Sequence, residues 1–381
     1  MRYRKLKADK LFDGFHLLEN KALLVSENGI IEGITDDVTN AEIFTGIFTP
    51  GFINCHCHLE LSHMKGTVPE GKGLVDFLMN VMRIRSQILA DKPTAIAAAE
   101  KEMYDNGIVA VADICNTSDA IETKKRSTIR WHSLIETINL RNENLAATLL
   151  KNEGIKEEHE VANLKAVLTA HAPYSVSQMT FEAINKQTAG QIISVHNQET
   201  AAENELFQKG TGDFLKLYSW LGSTNVPFAI SGKNSLQTWL PYFTNGQTIL
   251  LVHNTYIKEE DIVFAKEHAA TYGLTIVYCL CPNANLYIER ALPPLDLLIK
   301  HQCTIVLGTD SLSSNWQLSI ASELKTIKET FSLLSPETLL TWAISNAASA
   351  MRWNDLGSFE KGKKPGVVLM SEADFTVKRI I

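Results

Sequence analysis

Along the middle of the chain, short runs of β-forming apolar residues alternate with longer stretches in which apolar residues recur every three or four positions. The short runs predict strands at 52–58, 109–113, 131–136, 166–171, 192–196, 248–253, 275–279 and 304–308. Between them, Leu74, Phe77, Leu78, Val81 and Met82 precede the second strand, and Leu295, Leu298 and Ile299 precede the eighth. Such spacings put apolar side chains on one face of a helix. Eight strand–helix alternations over about 300 residues predict an α/β fold, a parallel (β/α)8 TIM-like barrel. The ends read differently: 22–26, a turn at Glu27-Asn28-Gly29, then 30–34, with further short runs at 367–370 and 375–380. Chain termini often lie close together, so both ends are expected to form one small β-sandwich domain of residues 1–50 and 357–381, beside a barrel over 51–356. A doubly wound sheet is the competing fold, but it would carry a Gly-rich turn after the first strand. Asn54-Cys55-His56-Cys57-His58 stands there instead.

With 45% hydrophobic residues in 381, the chain can bury a large core. A net charge of −7 argues against nucleic-acid or anionic-membrane partners, which need a basic face, and leaves a small-molecule substrate as the expectation. No apolar run approaches the ~18 residues needed to span a bilayer, and the N-terminus lacks a signal-peptide core, so a cytoplasmic protein is expected. The six cysteines lack the spacing of a secreted disulfide scaffold and read as reduced, mostly buried thiols.

His56 and His58 are separated by one residue on a predicted strand, so both imidazoles share a face opposite Cys55 and Cys57. A thiolate zinc knuckle on the two cysteines is the alternative, but no Cys-x-x-Cys pair stands elsewhere to complete it. His171, His196, His253 and Asp310 lie at the ends of the fourth, fifth, sixth and eighth predicted strands. In a barrel these ends converge on one mouth. Each also has a plainer reading: Asp310 as a helix cap, His171 as a buried structural histidine, Glu199 as a solvated carboxylate. Their shared placement favours a site.

The segments Pro50-Gly51-Phe52-Ile53-Asn54-Cys55-His56-Cys57-His58-Leu59-Glu60, His171-Ala172-Pro173-Tyr174, His196-Asn197-Gln198-Glu199-Thr200, Leu251-Val252-His253-Asn254, Cys281-Pro282-Asn283-Ala284-Asn285 and Leu307-Gly308-Thr309-Asp310-Ser311 run in family order. In them the chain resembles the amidohydrolase superfamily, in its chlorohydrolase and aminopurine deaminase branch. The resemblance implies that His56, His58, His196 and Asp310 bind one divalent ion, zinc or iron. It makes Glu199, His253 and Asp310 the catalytic groups. Binuclear relatives carry a carboxylated lysine ending the fourth strand, which this sequence lacks, so a mononuclear site is implied. His171, Ser314 and Asn315 are expected to contact substrate, while Arg141 is either a carboxylate or phosphate ligand or a surface arginine. Residues 356–363 match the family's closing turn, whereas Pro365-Gly366 departs from it.

The implied activity is hydrolytic removal of an amino group, as ammonia, from a heteroaromatic ring. The run 308–315 looks most like aminofutalosine deaminases, with S-adenosylhomocysteine, guanine and pterin deaminases as competitors. A cyclic-amide or chlorinated-ring hydrolase and a catalytically inactive metal-binding barrel are the other expectations. A homodimer is the base-rate expectation.

Overall fold

The computed structural model describes residues 3–85, 87–88, 91–223 and 229–381. Its central parallel strands are β1 (Phe52–Cys57), β2 (Ile108–Cys115), β3 (Arg130–Thr137), β4 (Lys165–Ala170), β5 (Ile192–Asn197), β6 (Thr248–His253), β7 (Thr275–Leu280) and β8 (Ile305–Leu307). They form two four-stranded parallel sheets, β1 to β4 and β5 to β8, each in sequence order. Every residue of β1, β5 and β6 is buried, which is why these strands read as continuous apolar runs rather than as an alternation.

Hydrogen bonds also link the sheets to each other. At one junction the His196 N–H donates to the His171 carbonyl at 2.9 Å, and the Ser194 N–H donates to the Thr169 hydroxyl at 2.8 Å. At the other, the Thr309 and Asp310 N–H groups both donate to the His56 carbonyl, at 2.9 and 3.0 Å. The Asn54 amide clamps the same place, donating to Thr309 Oγ1 at 2.8 Å and accepting the Thr309 N–H at 3.1 Å. A Cβ on Gly308 would lie 2.7 Å from His56 Cβ, so only glycine lets β8 press so closely on β1. The eighth strand is shorter than expected because residues 308–310 leave the ladder for this junction, with Asp310 at φ 56°.

Strands Ala22–Ser26 and Ile31–Thr35 pair antiparallel through a turn in which Gly29 has φ 78°. They join Tyr3–Lys7 and Glu42–Ile43 in one terminal sheet. Lys10–Phe12, Leu17–Glu19 and Ile47–Thr49 combine with Val368–Met370 and Val377–Arg379 in a second. Leu6, Leu23, Val25, Ile31 and Phe48 share one apolar cluster with Phe359 and Val367 from the other end of the chain. The unusual Pro365 accepts the Gly51 N–H at 2.9 Å and so anchors the entry to β1. The six cysteines are free, all but Cys303 fully buried. Among the described residues no helix is long and apolar enough to cross a membrane.

The chain leaving β1 is tied down by a buried ion pair. Asp113 Oδ1 accepts the Leu59 N–H at 2.8 Å, and its Oδ2 lies 2.6 Å from Lys124 Nζ. Burial alone would lower the Lys124 amine, but Asp113 and Cys115 outweigh it and hold the group charged. Removing one partner strands a buried charge, so Lys124→Met is expected to lose about 3–5 kcal/mol of stability. Urea denaturation should show a lower midpoint at an unchanged m-value.

Candidate active site

The strand ends bring four of the expected ligand side chains to one point. His58 Nε2 lies 3.2 Å from His56 Nε2 and 3.3 Å from His196 Nε2. Asp310 Oδ1 completes the group at 3.4 Å from His58 Nε2 and 3.6 Å from His56 Nε2. All four residues are buried. His196 Nδ1 is 2.8 Å from the His171 carbonyl, which can only accept, so its proton sits on Nδ1 and the Nε2 lone pair faces the centre. Burial pushes His58 down to about 3 and His196 well below the usual imidazole value, keeping both rings neutral. Burial alone would raise the Asp310 carboxyl, but the facing imidazoles of His56, His58 and His253 hold it well below the usual range. Neutral imidazole nitrogens and one carboxylate aimed at one point are a donor set suited to a divalent cation.

Beside this group stand Glu199 and His253, with Glu199 Oε1 3.6 Å from His253 Nε2. Glu199 follows β5 in a tight turn, where Gln198 has φ 47°. Glu203, on the helix Ala201–Lys209, fixes the turn by accepting the Gln198 and Glu199 N–H groups at 2.9 and 3.4 Å. Burial, reinforced by Asp310, Glu289 and Glu203, pushes the Glu199 carboxyl well above its ordinary value, so it holds a proton. His253 is pushed down to about 4, chiefly by burial. Its Nδ1 lies 2.8 Å from Asn285 Oδ1 on the helix Pro282–Glu289. In this arrangement the ring proton is on Nδ1; turning the amide end for end would place it on Nε2. In both, Asn285 decides which form of the imidazole faces Glu199. His253, Asn254 and Asp310 all adopt left-handed backbone, at φ 72°, 59° and 56°. Such conformations cost roughly 1 kcal/mol or more for residues with a Cβ and persist only where the surroundings impose them. Here Asn254 is held by its N–H to the Asn197 carbonyl at 3.0 Å and its side chain to the Leu251 carbonyl at 2.7 Å.

A cavity opens over these groups. Its inner end is lined by Glu136, His171, His196, Glu199, His253 and Asp310, and its outer wall by Leu74, Phe77, Leu78, Val81 and Leu217. The outer wall belongs to the helices Leu74–Ile84 and Phe214–Trp220. Glu289 accepts the Leu74 N–H at 2.6 Å and so fixes the first of these over the cavity.

His171 lines the cavity. Ser314 and Asn315 do not: the turn after β8 folds them behind Asp310. The Ser314 hydroxyl donates to Asp310 Oδ2 at 2.6 Å, while the Asn315 amide donates to the Thr309 carbonyl and Glu323 Oε1 at 2.7 and 2.8 Å. Ser314 therefore supports the carboxylate and Asn315 the backbone just before it, and neither is part of the cavity wall. Arg141 is exposed beside the short turn Asn142–Asn144 and is not part of the cavity wall. Glu136, by contrast, escaped the sequence reading. It is buried in β3 with Oε2 accepting from Asn116 Nδ2 at 2.8 Å, and burial pushes its carboxyl up to about 7. It closes the predicted strand 131–136, so the rule that singled out the other strand ends also applies to it.

The amidohydrolase family model matches residues 47–381. An aminodeoxyfutalosine deaminase of a Nitratiruptor species is 27% identical over 290 residues, covering 73% of this chain and 67% of that protein. The crystal structure of Helicobacter pylori aminofutalosine deaminase in complex with methylthio-coformycin aligns with TM-score 0.81 and 22% identity, over 98% of this chain and 93% of the other. A Xanthomonas campestris adenosine deaminase with bound zinc aligns with TM-score 0.71 and 19% identity, over 97% and 84%.

Proposed function

Because the chain belongs to the amidohydrolase family, we propose that it is a metal-dependent hydrolytic deaminase of an adenosine-like nucleoside, exchanging the ring amino group for oxygen and releasing ammonia. The observation that carries this reading is the convergence of His56, His58, His196 and Asp310 beside the proton-holding Glu199 and His253. The deaminase names of the relatives support it. The four convergent residues would hold one divalent ion, with zinc favoured by the donor set and by the zinc-bound neighbour, and iron as the alternative. Bound there, the ion supplies Lewis acidity and lowers the pKa of water towards ~7.

The protein's own groups then move protons. Glu199 delivers one to the ring nitrogen next to the carbon under attack, which makes that carbon electrophilic. His253 hydrogen-bonds the incoming oxygen and orients it. Asp310 takes one proton of the incoming water as the new C–O bond forms and returns it to the departing amine, and the proton left on the new hydroxyl passes to Glu199 as the carbonyl forms, so that ammonia leaves neutral and Glu199 is reset. His171 orients the ring. The proton on Glu199 favours deamination over cyclic-amide opening, which needs no ring protonation. The hydrogen bonds across both sheet junctions support an eight-stranded barrel as the frame, with the paired terminal sheets as a separate small domain.

The test is ammonia release from zinc-loaded protein over a panel of adenine nucleosides with different 5′ groups, together with guanine, pterins and chlorinated triazines. Ammonia from the nucleosides is expected, with silence after chelation and recovery on adding zinc. Release of chloride alone would overturn the reading. Asn285→Ala is expected to lower kcat by about 10–100-fold at unchanged metal content, since it frees the His253 ring while leaving the ligands in place. Steady-state kinetics combined with metal analysis would check this.

A further inference from the structure

Glu136 ends at the inner part of the cavity between His171 and His196, and only half of its carboxylate is satisfied. Oε2 accepts from Asn116 Nδ2 at 2.8 Å. Asn116 is itself held, its N–H donating at 3.1 Å to Glu60 Oε2, while Arg85 donates to Glu60 Oε1 at 3.1 Å. Glu136 Oε1, in contrast, is buried with no hydrogen-bond partner among the described residues. Neither adjacent imidazole can serve it. His196 Nδ1 is 3.8 Å away, but its proton goes to the His171 carbonyl at 2.8 Å. His171 places its own Nδ1 proton on Ser175 Oγ at 2.6 Å, because the Ser175 hydroxyl donates onward to the Ala172 carbonyl at 3.0 Å. That leaves His171 Nε2, like His196 Nε2, as a lone pair.

Above a pH of about 7 Glu136 is ionised and its oxygens only accept, and buried acceptors in native proteins are paired. The missing donor therefore comes from whatever fills the cavity. Glu199, His253 and Asp310 gather at the ligand cluster and face the reacting ring, and the polar members of the wall beside Glu136, Asn116 and Arg85, already donate to Glu136 Oε2 and to Glu60. On a nucleoside whose ring occupies that end, the donors left over are the sugar hydroxyls. The geometry points to Glu136 as the specificity-determining acceptor for a sugar hydroxyl of the substrate. This inference rests on the nucleoside reading above. The chain thus prefers ribosides over deoxyribosides and free bases.

The experiment compares adenosine, 2′-deoxyadenosine, 3′-deoxyadenosine and adenine on wild-type protein, Glu136→Gln and Glu136→Leu. Both kcat/KM for ammonia release and dissociation constants by titration calorimetry are read. In the wild type, removing the contacted hydroxyl is expected to lower kcat/KM and affinity about 10–100-fold. In Glu136→Leu the riboside and the deoxyriboside become equal. Glu136→Gln, which keeps one acceptor oxygen and the shape of the side chain, should fall between and serves as the folded control. A uniform loss on all four ligands in both variants would overturn the inference and make Glu136 a positioning residue for His171. Wild-type deamination indifferent to both hydroxyls would overturn it too, leaving the deaminase reading intact. No ammonia and no binding from any of these four or from the 5′-substituted nucleosides of the panel above would remove the nucleoside reading, and this inference with it.

Discussion

Replacing Asp310 by alanine should empty the metal site and abolish ammonia release. Asp310 is the carboxylate of the four convergent side chains, and its Oδ1 approaches the Nε2 atoms of His56 and His58 at 3.6 and 3.4 Å. Without it the three imidazoles must hold a dication in a buried site with no anionic ligand, which a low-dielectric environment penalises heavily. Loss of the ion returns the pKa of water from ~7 to its far higher bulk value, so turnover should fall by roughly 10⁴-fold or more. Metal analysis of the dialysed protein should find well under one equivalent. Asp310→Asn is the partner variant: asparagine accepts the left-handed backbone at this position more readily than alanine, so it separates loss of metal from loss of fold. A full equivalent of metal retained by Asp310→Ala would remove Asp310 from the ligand set.

Glu199→Gln should behave in the opposite way, keeping the metal and losing turnover. The side chain stands beside the ligand cluster, 3.6 Å from His253 Nε2, and its burial keeps a proton on the carboxyl. Glutamine matches its size and can still hydrogen-bond, but it has no proton to exchange with the ring nitrogen. Proton transfer by a positioned side chain contributes typically ~10²–10⁴-fold, and a fall in kcat of that order is expected. Metal content and thermal midpoint should match the wild type. A wild-type rate in a steady-state assay would take Glu199 out of the reaction. The two variants together distinguish a group that holds the ion from one that moves protons.

Much of this arrangement is legible in the amino-acid order, because a parallel strand buried on both faces writes a continuous apolar run, as at residues 248–253. Once such strands are counted, the rule that their ends converge groups His56, His58, His196, His253 and Asp310 without any tertiary information. The same rule would have included Glu136, which has no neighbouring motif to draw attention to it. Ser314 and Asn315 show where the reading stops. Whether a serine after a strand faces the cavity or turns back under the carboxylate depends on the path of a few loop residues, which hydrophobic periodicity does not encode. The pairing of His253 with Asn285 and the chain from Glu136 through Asn116 to Glu60 and Arg85 are hidden for a related reason. They join residues whose spacing in sequence follows no helical or strand repeat, so only the packed backbone brings them together.

The left-handed residues at the strand tips set durability against chemistry. His253 and Asp310 carry bulky side chains where glycine would sit with less strain. A population of variants selected for heat resistance alone would be expected to drift towards glycine or asparagine at these two positions and become hardier while falling silent. Selection for ammonia release is the pressure that would keep the less comfortable residues in place.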